Sequence, residues 1–198
     1  MSGRARKPKP RIPTRAVRAG ALVYLRYPTP RDRGEFMALK RASRRFLAPW
    51  EATPTDGTDM FSPAVFDRLL KTRRGPFNHR FLICLRGEPR GCIVGQNSLG
   101  NIVRGAFQSC YVGYWIGAAH TRRGYTTEAL RLAVDFAFRT LELHRVEANI
   151  VPRNRPSKGL VKKLGFRYEG TAKRYLSINH RWEDHEHWAI TREEWARD

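Results

Sequence analysis

The alternation of apolar and polar positions divides the chain into short strands and helices of ordinary length. Residues 21–26, 80–86, 91–98, 107–116 and 144–151 are rich in β-branched, aromatic and other apolar side chains, which favours strands. A hairpin turn is read at 87–90, Gly-Glu-Pro-Arg, between two of them. Residues 166–169, 174–178 and 186–190 supply three closing strands. Helical spacing begins where Thr29, Pro30 and Asp32 form a cap, and it runs on through Phe36, Leu39 and Lys40. A second helix starts at Ser62 and Pro63, gathers Val65, Phe66, Leu69 and Leu70, and stops near Gly75. A third places Ala129, Leu130, Ala133, Val134, Ala137 and Leu141 on one face, and a fourth covers 156–164 before Gly165. Thr191 and Glu194 resemble a capping box on a terminal turn, while 45–57 and 101–105 read as loops. Strands interspersed with helices and hairpins describe an α/β (α+β) domain over residues 20–195, built on a mixed sheet.

One joint in this pattern carries chemistry. The strand that ends at Trp115 and Ile116 passes through Gly117 and a turn holding Arg122, Arg123 and Gly124, and the next helix opens with Tyr125, Thr126 and Thr127. The first N–H groups of such a helix have no partner inside it. Together with the positive end of the helix dipole they hold phosphates. The dipole contributes only about 0.3–2 kcal/mol, so the N–H groups and the two arginines must supply most of the grip. A plain βα junction carries the same signs, and the rest of the chain has to decide between the two.

Composition narrows the partners. Lys and Arg number 38 against 18 acids, a formal net charge of +20, which calls for an anionic partner such as a nucleotide, nucleic acid or membrane surface. Seven of those cations (Arg4, Arg6, Lys7, Lys9, Arg11, Arg15 and Arg18) fall within the first 18 residues, with no acid among them. With Pro8, Pro10 and Pro13 among them, residues 1–19 read as a disordered basic arm. The N-terminal stretch lacks the apolar run of a secretory signal, and no stretch reaches the roughly 18 apolar residues of a membrane span. The expectation is therefore a cytoplasmic protein, with Cys84, Cys92 and Cys110 as buried, reduced thiols. His185 and His187 share a strand face but have no third ligand in view, so no metal is expected. Trp50, Trp115, Trp182 and Trp188 read as core or cleft wall.

Six segments, in order, give the chain a family resemblance. They are residues 46–51 (Phe-Leu-Ala-Pro-Trp-Glu), 101–105 (Asn-Ile-Val-Arg-Gly), 110–116 (Cys-Tyr-Val-Gly-Tyr-Trp-Ile), 124–130, 154–170 (with Asn154, Ser157 and a Leu-Gly-Phe run) and 182–185 (Trp-Glu-Asp-His). In this order the chain resembles the GCN5-related N-acetyltransferase (GNAT) superfamily, and within it the RimJ/RimL-type ribosomal-protein-alanine acetyltransferases. The resemblance implies a GNAT fold: a mixed central sheet of about seven strands, splayed in the middle, with helices on both faces. It implies acetyl-CoA as cosubstrate, its diphosphate on the turn of Arg122, Arg123, Gly124, Tyr125, Thr126 and Thr127. The pantetheine arm would pair with Trp115, Ile116 and Gly117 and meet Asn154, in a slot between strands 111–116 and 145–150. The chain departs from the family's turn at Thr121 and Thr126, which weakens the consensus.

Transfer to an amine needs a neutral nucleophile and a proton for the departing sulfur. An α-amine has a pKa of about 7.7–8.0, so freeing it near pH 7 costs about 1 kcal/mol against roughly 4–5 for lysine. A site without a prominent base therefore suits a protein N-terminus. The resemblance makes Ser157 the proton donor to sulfur, with Tyr175 as a second hydroxyl. The family's glutamate base falls on Leu176, which leaves Glu51 and Asp184 as substitutes. The reading is an acetyl-CoA-dependent N-acetyltransferase, monomer or homodimer, acting on the N-terminal amine of a ribosomal protein, its basic arm docking on rRNA or the ribosome. The rivals are a small-molecule acetyltransferase of antibiotics or polyamines, for which only Glu183, Asp184 and Glu186 cluster, and a catalytically decayed GNAT-fold adaptor that binds the ribosome or RNA, favoured by Thr121, Thr126 and Leu176.

Overall fold

The computed structural model describes residues 15–54, 56–87 and 92–196. The expected arm before Arg15 and residues 88–91, including most of the 87–90 turn, lie outside the described residues. Eight strands form one sheet: β1 (Arg18–Ala19), β2 (Val23–Arg26), β3 (His79–Leu85), β4 (Ile93–Val103), β5 (Ser109–Ile116), β6 (Arg145–Ile150), β7 (Arg167–Ile178) and β8 (Arg181–Thr191). Their order across the sheet is β1-β2-β3-β4-β5-β6-β8-β7. Only β5 and β6 run parallel, and every other neighbouring pair is antiparallel.

Among the described residues six α-helices accompany the sheet: α1 (Arg33–Ala42), α2 (Arg44–Leu47), α3 (Pro63–Lys71), α4 (Tyr125–Arg139), α5 (Arg155–Lys163) and α6 (Arg192–Trp195). Strand alternation decides which face each helix covers. Val23, Leu25, Phe81, Ile83, Val94 and Leu99 turn to the α4 side, where Ala129, Leu130, Ala133, Val134 and Ala137 are fully buried. Their neighbours Tyr24, Leu82, Cys84 and Ile93 turn the other way and pack on Phe36 and Met37 of α1 and Phe66 and Leu69 of α3. Each large side chain buried this way contributes about 1.5–3 kcal/mol, and α4 contributes most of one face.

Several elements differ from the sequence reading, each for a local reason. The eighth strand is Arg18–Ala19, which pairs with Tyr24 and Leu25 inside the stretch read as arm. The 45–57 loop contains α2 and a 3-10 turn, Ala48–Trp50, set by Pro49 in its first turn. The 101–105 loop is partly strand: β4 crosses a register shift between Gly100 and Val103, with Asn101 at φ 50°, and continues to Val103. Segments 166–169 and 174–178 join into the single strand β7, because register shifts at Tyr168/Gly170 and Ala172/Leu176 absorb the polar stretch without ending the pairing. Trp182 is 68% exposed on β8, so it is not a core residue. Cys84 and Cys110 are buried as expected; Cys92 is half-buried.

The cap expected at Thr29 is present and reaches further than expected. Asp32 accepts the Thr29 N–H at 2.7 Å and forms a two-pronged pair with Arg26, both bonds 2.7 Å, in a buried setting. Burial pushes the Asp32 carboxyl up, and Arg26 with the Thr29 N–H outweighs it and holds the group below its ordinary value.

Candidate active site

The turn before α4 is held from within. After β5, the Gly117 N–H donates to Val94 O at 2.8 Å, the Gly117 carbonyl accepts from His120, and the Ala118 N–H donates to Ser43 Oγ at 3.0 Å. Thr121, where the chain departs from the family's turn, donates its hydroxyl to Ala118 O at 3.1 Å and braces the turn from within. Arg122 (φ 59°) and Gly124 (φ 79°) both take left-handed backbone, which swings the chain into the helix. No side chain caps α4, so the N–H groups of its first turn remain open to a ligand. Arg122 and Arg123 are exposed beside them, and Tyr125, Thr126 and Thr127 are half-buried.

An acid in this first turn would repel a phosphate, and Glu128 is one. Its carboxylate is instead committed to three consecutive N–H groups, those of Ala21, Leu22 and Val23, each at 2.7 Å. That clamp ties the β1–β2 turn to α4. At the other end of the helix, Arg18 reaches Asp135 at 3.3 Å.

The slot follows from where strand pairing stops. β5 and β6 are in register only over Ser109–Arg145, Cys110–Val146 and Tyr111–Glu147. Beyond that, β5 stays with β4 through Ile116, and β6 stays with β8 through Ile150. The two facing edges therefore diverge, with main-chain groups of Trp115 and Ile116 along one lip. Gly117 contributes less than expected, since its N–H and carbonyl are both engaged inside the protein. β4 and β5 approach closely here: a Cβ on Gly95 would lie 2.3 Å from Trp115 O.

On the α4 side of the slot stand Asn154, Ser157 and Tyr114. Asn154 caps α5, its side-chain oxygen accepting the Ser157 N–H at 3.2 Å. The Tyr114 hydroxyl is buried without a hydrogen-bond partner. Burial pushes it up to about 12, with Ser157 pulling the other way, so Ser157 is its polar neighbour. Asn97, directly across the β4–β5 register from Tyr114, is fully buried with its amide also unpartnered. Sequence reasoning missed Tyr114 and Asn97. The only sign was a polar residue on the inward phase of two strands.

On the opposite face, the proposed bases are engaged elsewhere. Glu51 binds Lys40 at 2.7 Å. Asp184 binds Lys173 and the Arg174 N–H, both at 2.9 Å, and these hold its carboxyl below the ordinary range. Leu176 is exposed and offers no acid. Tyr175 lies against His187 (ring centroids 4.9 Å) and His185 (5.5 Å), and Asn149 donates to its hydroxyl at 3.5 Å. The acids at 183–186 do not form one groove. Glu183 pairs with Arg153, Asp184 with Lys173 and Glu186 with Lys158. Among the described residues no three His, Cys, Asp or Glu side chains gather as a metal site, and no helix is long and apolar enough to cross a membrane.

A mixed sheet that opens between its parallel strands, with an uncapped helix beside the opening, is the arrangement that the resemblance to GNAT enzymes implies. The model of the acetyltransferase (GNAT) domain matches residues 23–167. The chain is 36% identical over 160 residues to the [ribosomal protein uS5]-alanine N-acetyltransferase of Escherichia coli, covering 78% of this chain and 79% of that one. It is 47% identical over 98 residues to the Bacillus subtilis protein named "Probable N-acetyltransferase YjcK", a match spanning only 50% of this chain and 54% of that one. In three dimensions it superposes on Mycobacterium smegmatis RimJ in complex with CoA-disulfide with a TM-score of 0.79 at 35% identity, covering 87% of this chain and 83% of the other. The chain belongs to the GNAT acetyltransferase family. It is an acetyltransferase that draws on acetyl-CoA.

Proposed function

We propose that the acceptor is the α-amine at the N-terminus of a protein, a ribosomal protein with an alanine-type terminus first among them. The observation that carries this reading is the likeness, over most of both chains, to an enzyme named for alanine acetylation of uS5. The chemistry of the acceptor face agrees with it. Glu51 and Asp184 are both paired with cations, which favours an amine that loses its proton readily, and an α-amine does so near neutral pH. A polyamine would want a shared acidic groove, and the acids at 183–186 are each neutralised by a different cation.

The residues present fit acetyl-CoA on one structural ground: open main-chain edges and an uncapped helix turn meet at the same end of the sheet. When bound, acetyl-CoA supplies the acetyl group as an activated thioester. The first-turn N–H groups of α4, with Arg122 and Arg123, would hold its diphosphate. Trp115 and Ile116 would pair with its amide arm as an added strand does, and Asn154 would border that arm. Ser157 would offer its hydroxyl proton on the sulfur side, with Tyr114 behind it as a second hydroxyl kept protonated by burial. Thr126 would turn a hydroxyl toward the diphosphate.

The basic arm before Arg15 would bind the anionic ribosome surface or rRNA and raise the local concentration of acceptor. The experiment for the acceptor class is a peptide panel with acetyl-CoA: free Ala, Ser and Met N-termini against an N-blocked peptide carrying lysine. Acetylation of the free N-termini is expected, and acetylation confined to lysine would overturn the reading.

A further inference from the structure

Lys40 is a charged side chain buried where a hydrocarbon would serve the fold better. It is 2% exposed, on the face of α1 that packs on the sheet. Its ammonium donates to Glu51 Oε1 at 2.7 Å and lies 5.3 Å from the Trp115 ring centre and 5.4 Å from that of Phe61. Taking an ammonium out of water is expensive, and a buried ion pair rarely stabilises more than well-packed apolar residues of the same size. Two rings and one carboxylate offset the cost without explaining why it is incurred.

Glu51 supplies the explanation. Only Oε1 is bonded to Lys40; Oε2 makes no hydrogen bond among the described residues, and Glu51 lines a cavity of about 310 Å³ with Phe61, His180 and Arg44, whose charge is paired with Asp59 at 3.6 Å. The wall carrying Glu51 is fixed. The Thr53 N–H donates to Ser177 O at 2.9 Å, the Asn179 N–H to Glu51 O at 3.0 Å, and the His180 N–H to Thr53 Oγ1 at 2.7 Å. Through Trp115 the same cluster touches the open stretch of β5, on the face opposite α4. A carboxylate locked at one oxygen and unbonded at the other, on the wall of that cavity and joined through Lys40 to Trp115 of the open β5 stretch, is shaped to receive a cation.

We propose that Lys40 is a positioning residue that fixes Glu51 with one oxygen toward the cavity, and that this oxygen receives the acceptor's ammonium group before transfer. The acceptor then releases a proton to solvent, and Glu51 keeps the role of a docking group rather than a base. This rests on the N-terminal-amine reading only for the identity of the acceptor.

The test compares the wild type with Lys40→Met and Glu51→Gln, each saturated with CoA. Calorimetry measures binding of a peptide with a free alanine N-terminus and of the same peptide N-acetylated, which lacks the charge. The wild type should prefer the free peptide, and both variants should lose that preference. Acceptor KM should rise on the order of 10–100-fold, as expected for a lost charge-assisted hydrogen bond. KM for acetyl-CoA should hold in both variants. The proposal fails if the wild type binds both peptides alike or if the variants keep its preference. It also fails if the variants shift the KM values for acceptor and acetyl-CoA together, the signature of a purely structural ion pair. If the wild type acetylates polyamines and no peptide, the N-terminal reading falls, and the same variants judge Lys40 and Glu51 on the polyamine.

Discussion

Asn154 accepts the Ser157 N–H at 3.2 Å and so takes the cap of α5, which leaves the Ser157 hydroxyl without a structural duty at the helix start. The two side chains can therefore be separated by mutation. Ser157→Ala is expected to lower kcat by about 10²-fold, in the range of lost general-acid catalysis, with CoA affinity and Tm unchanged. Asn154→Ala should instead cost about 1 kcal/mol of stability. Steady-state kinetics beside thermal melts would show whether the losses divide this way.

Tyr114 presents the opposite trade. Its hydroxyl is buried and makes no hydrogen bond among the described residues, with Ser157 its nearest polar influence, and an unmet hydroxyl costs about 1–3 kcal/mol. Tyr114→Phe should raise Tm while lowering kcat. A variant that is more stable and equally active would leave Tyr114 as packing alone.

The turn should respond to geometry and charge independently. Gly124→Ala forces a Cβ onto a left-handed backbone, at about 1–2 kcal/mol, and should weaken CoA binding as the turn relaxes. Arg122→Ala with Arg123→Ala should keep Tm, raise the Kd for CoA about tenfold, and flatten its dependence on salt. Titration of CoA at low and high ionic strength reads both effects.

Acid stability should track the Arg26–Asp32 pair. Asp32 is depressed in the folded protein, so its contribution is complete above the unfolded carboxyl value of about 3.9 and is lost as pH falls through the lower folded value. Asp32→Asn leaves Arg26 buried and unpaired, and should cost about 3–5 kcal/mol at pH 7. It should also lose less stability than the wild type between pH 4 and pH 2. Urea midpoints at a series of pH values would reveal it.

Removal of residues 1–14 should leave acetylation of short peptides unchanged and weaken binding to ribosomes or rRNA. The steepness of that binding against salt should fall with it, because each phosphate contact contributes to the slope. Equal binding with and without those residues would move the docking surface to the folded domain.

Much of this architecture was legible because period and punctuation agreed. Ala129, Leu130, Ala133, Val134 and Ala137 declare the buried stripe of α4, and the turn at Gly124 declares its start. The divergence of β5 from β6 was not readable from these residues alone. Both strands are ordinary apolar segments, and what separates them is their loyalty to different outer neighbours. The strength of Thr121 as a brace was invisible too, since its use depends on where Ala118 O points. Lys40 was legible only as a position in the spacing of the first helix, after Phe36 and Leu39. Only its burial among Glu51, Phe61 and Trp115, residues from three separate stretches, gives it meaning.

The bonds from Thr53 to Ser177 and His180 join points more than 120 residues apart along the chain. Closing a loop of that span is slow and comes after local contacts have formed. During synthesis β2 to β5, with α4 clamped by Glu128, can assemble while the C-terminal hairpin is still inside the ribosome. The wall that carries Glu51 then waits for the final strands, so the turn proposed to hold the donor would form before the wall proposed to receive the acceptor.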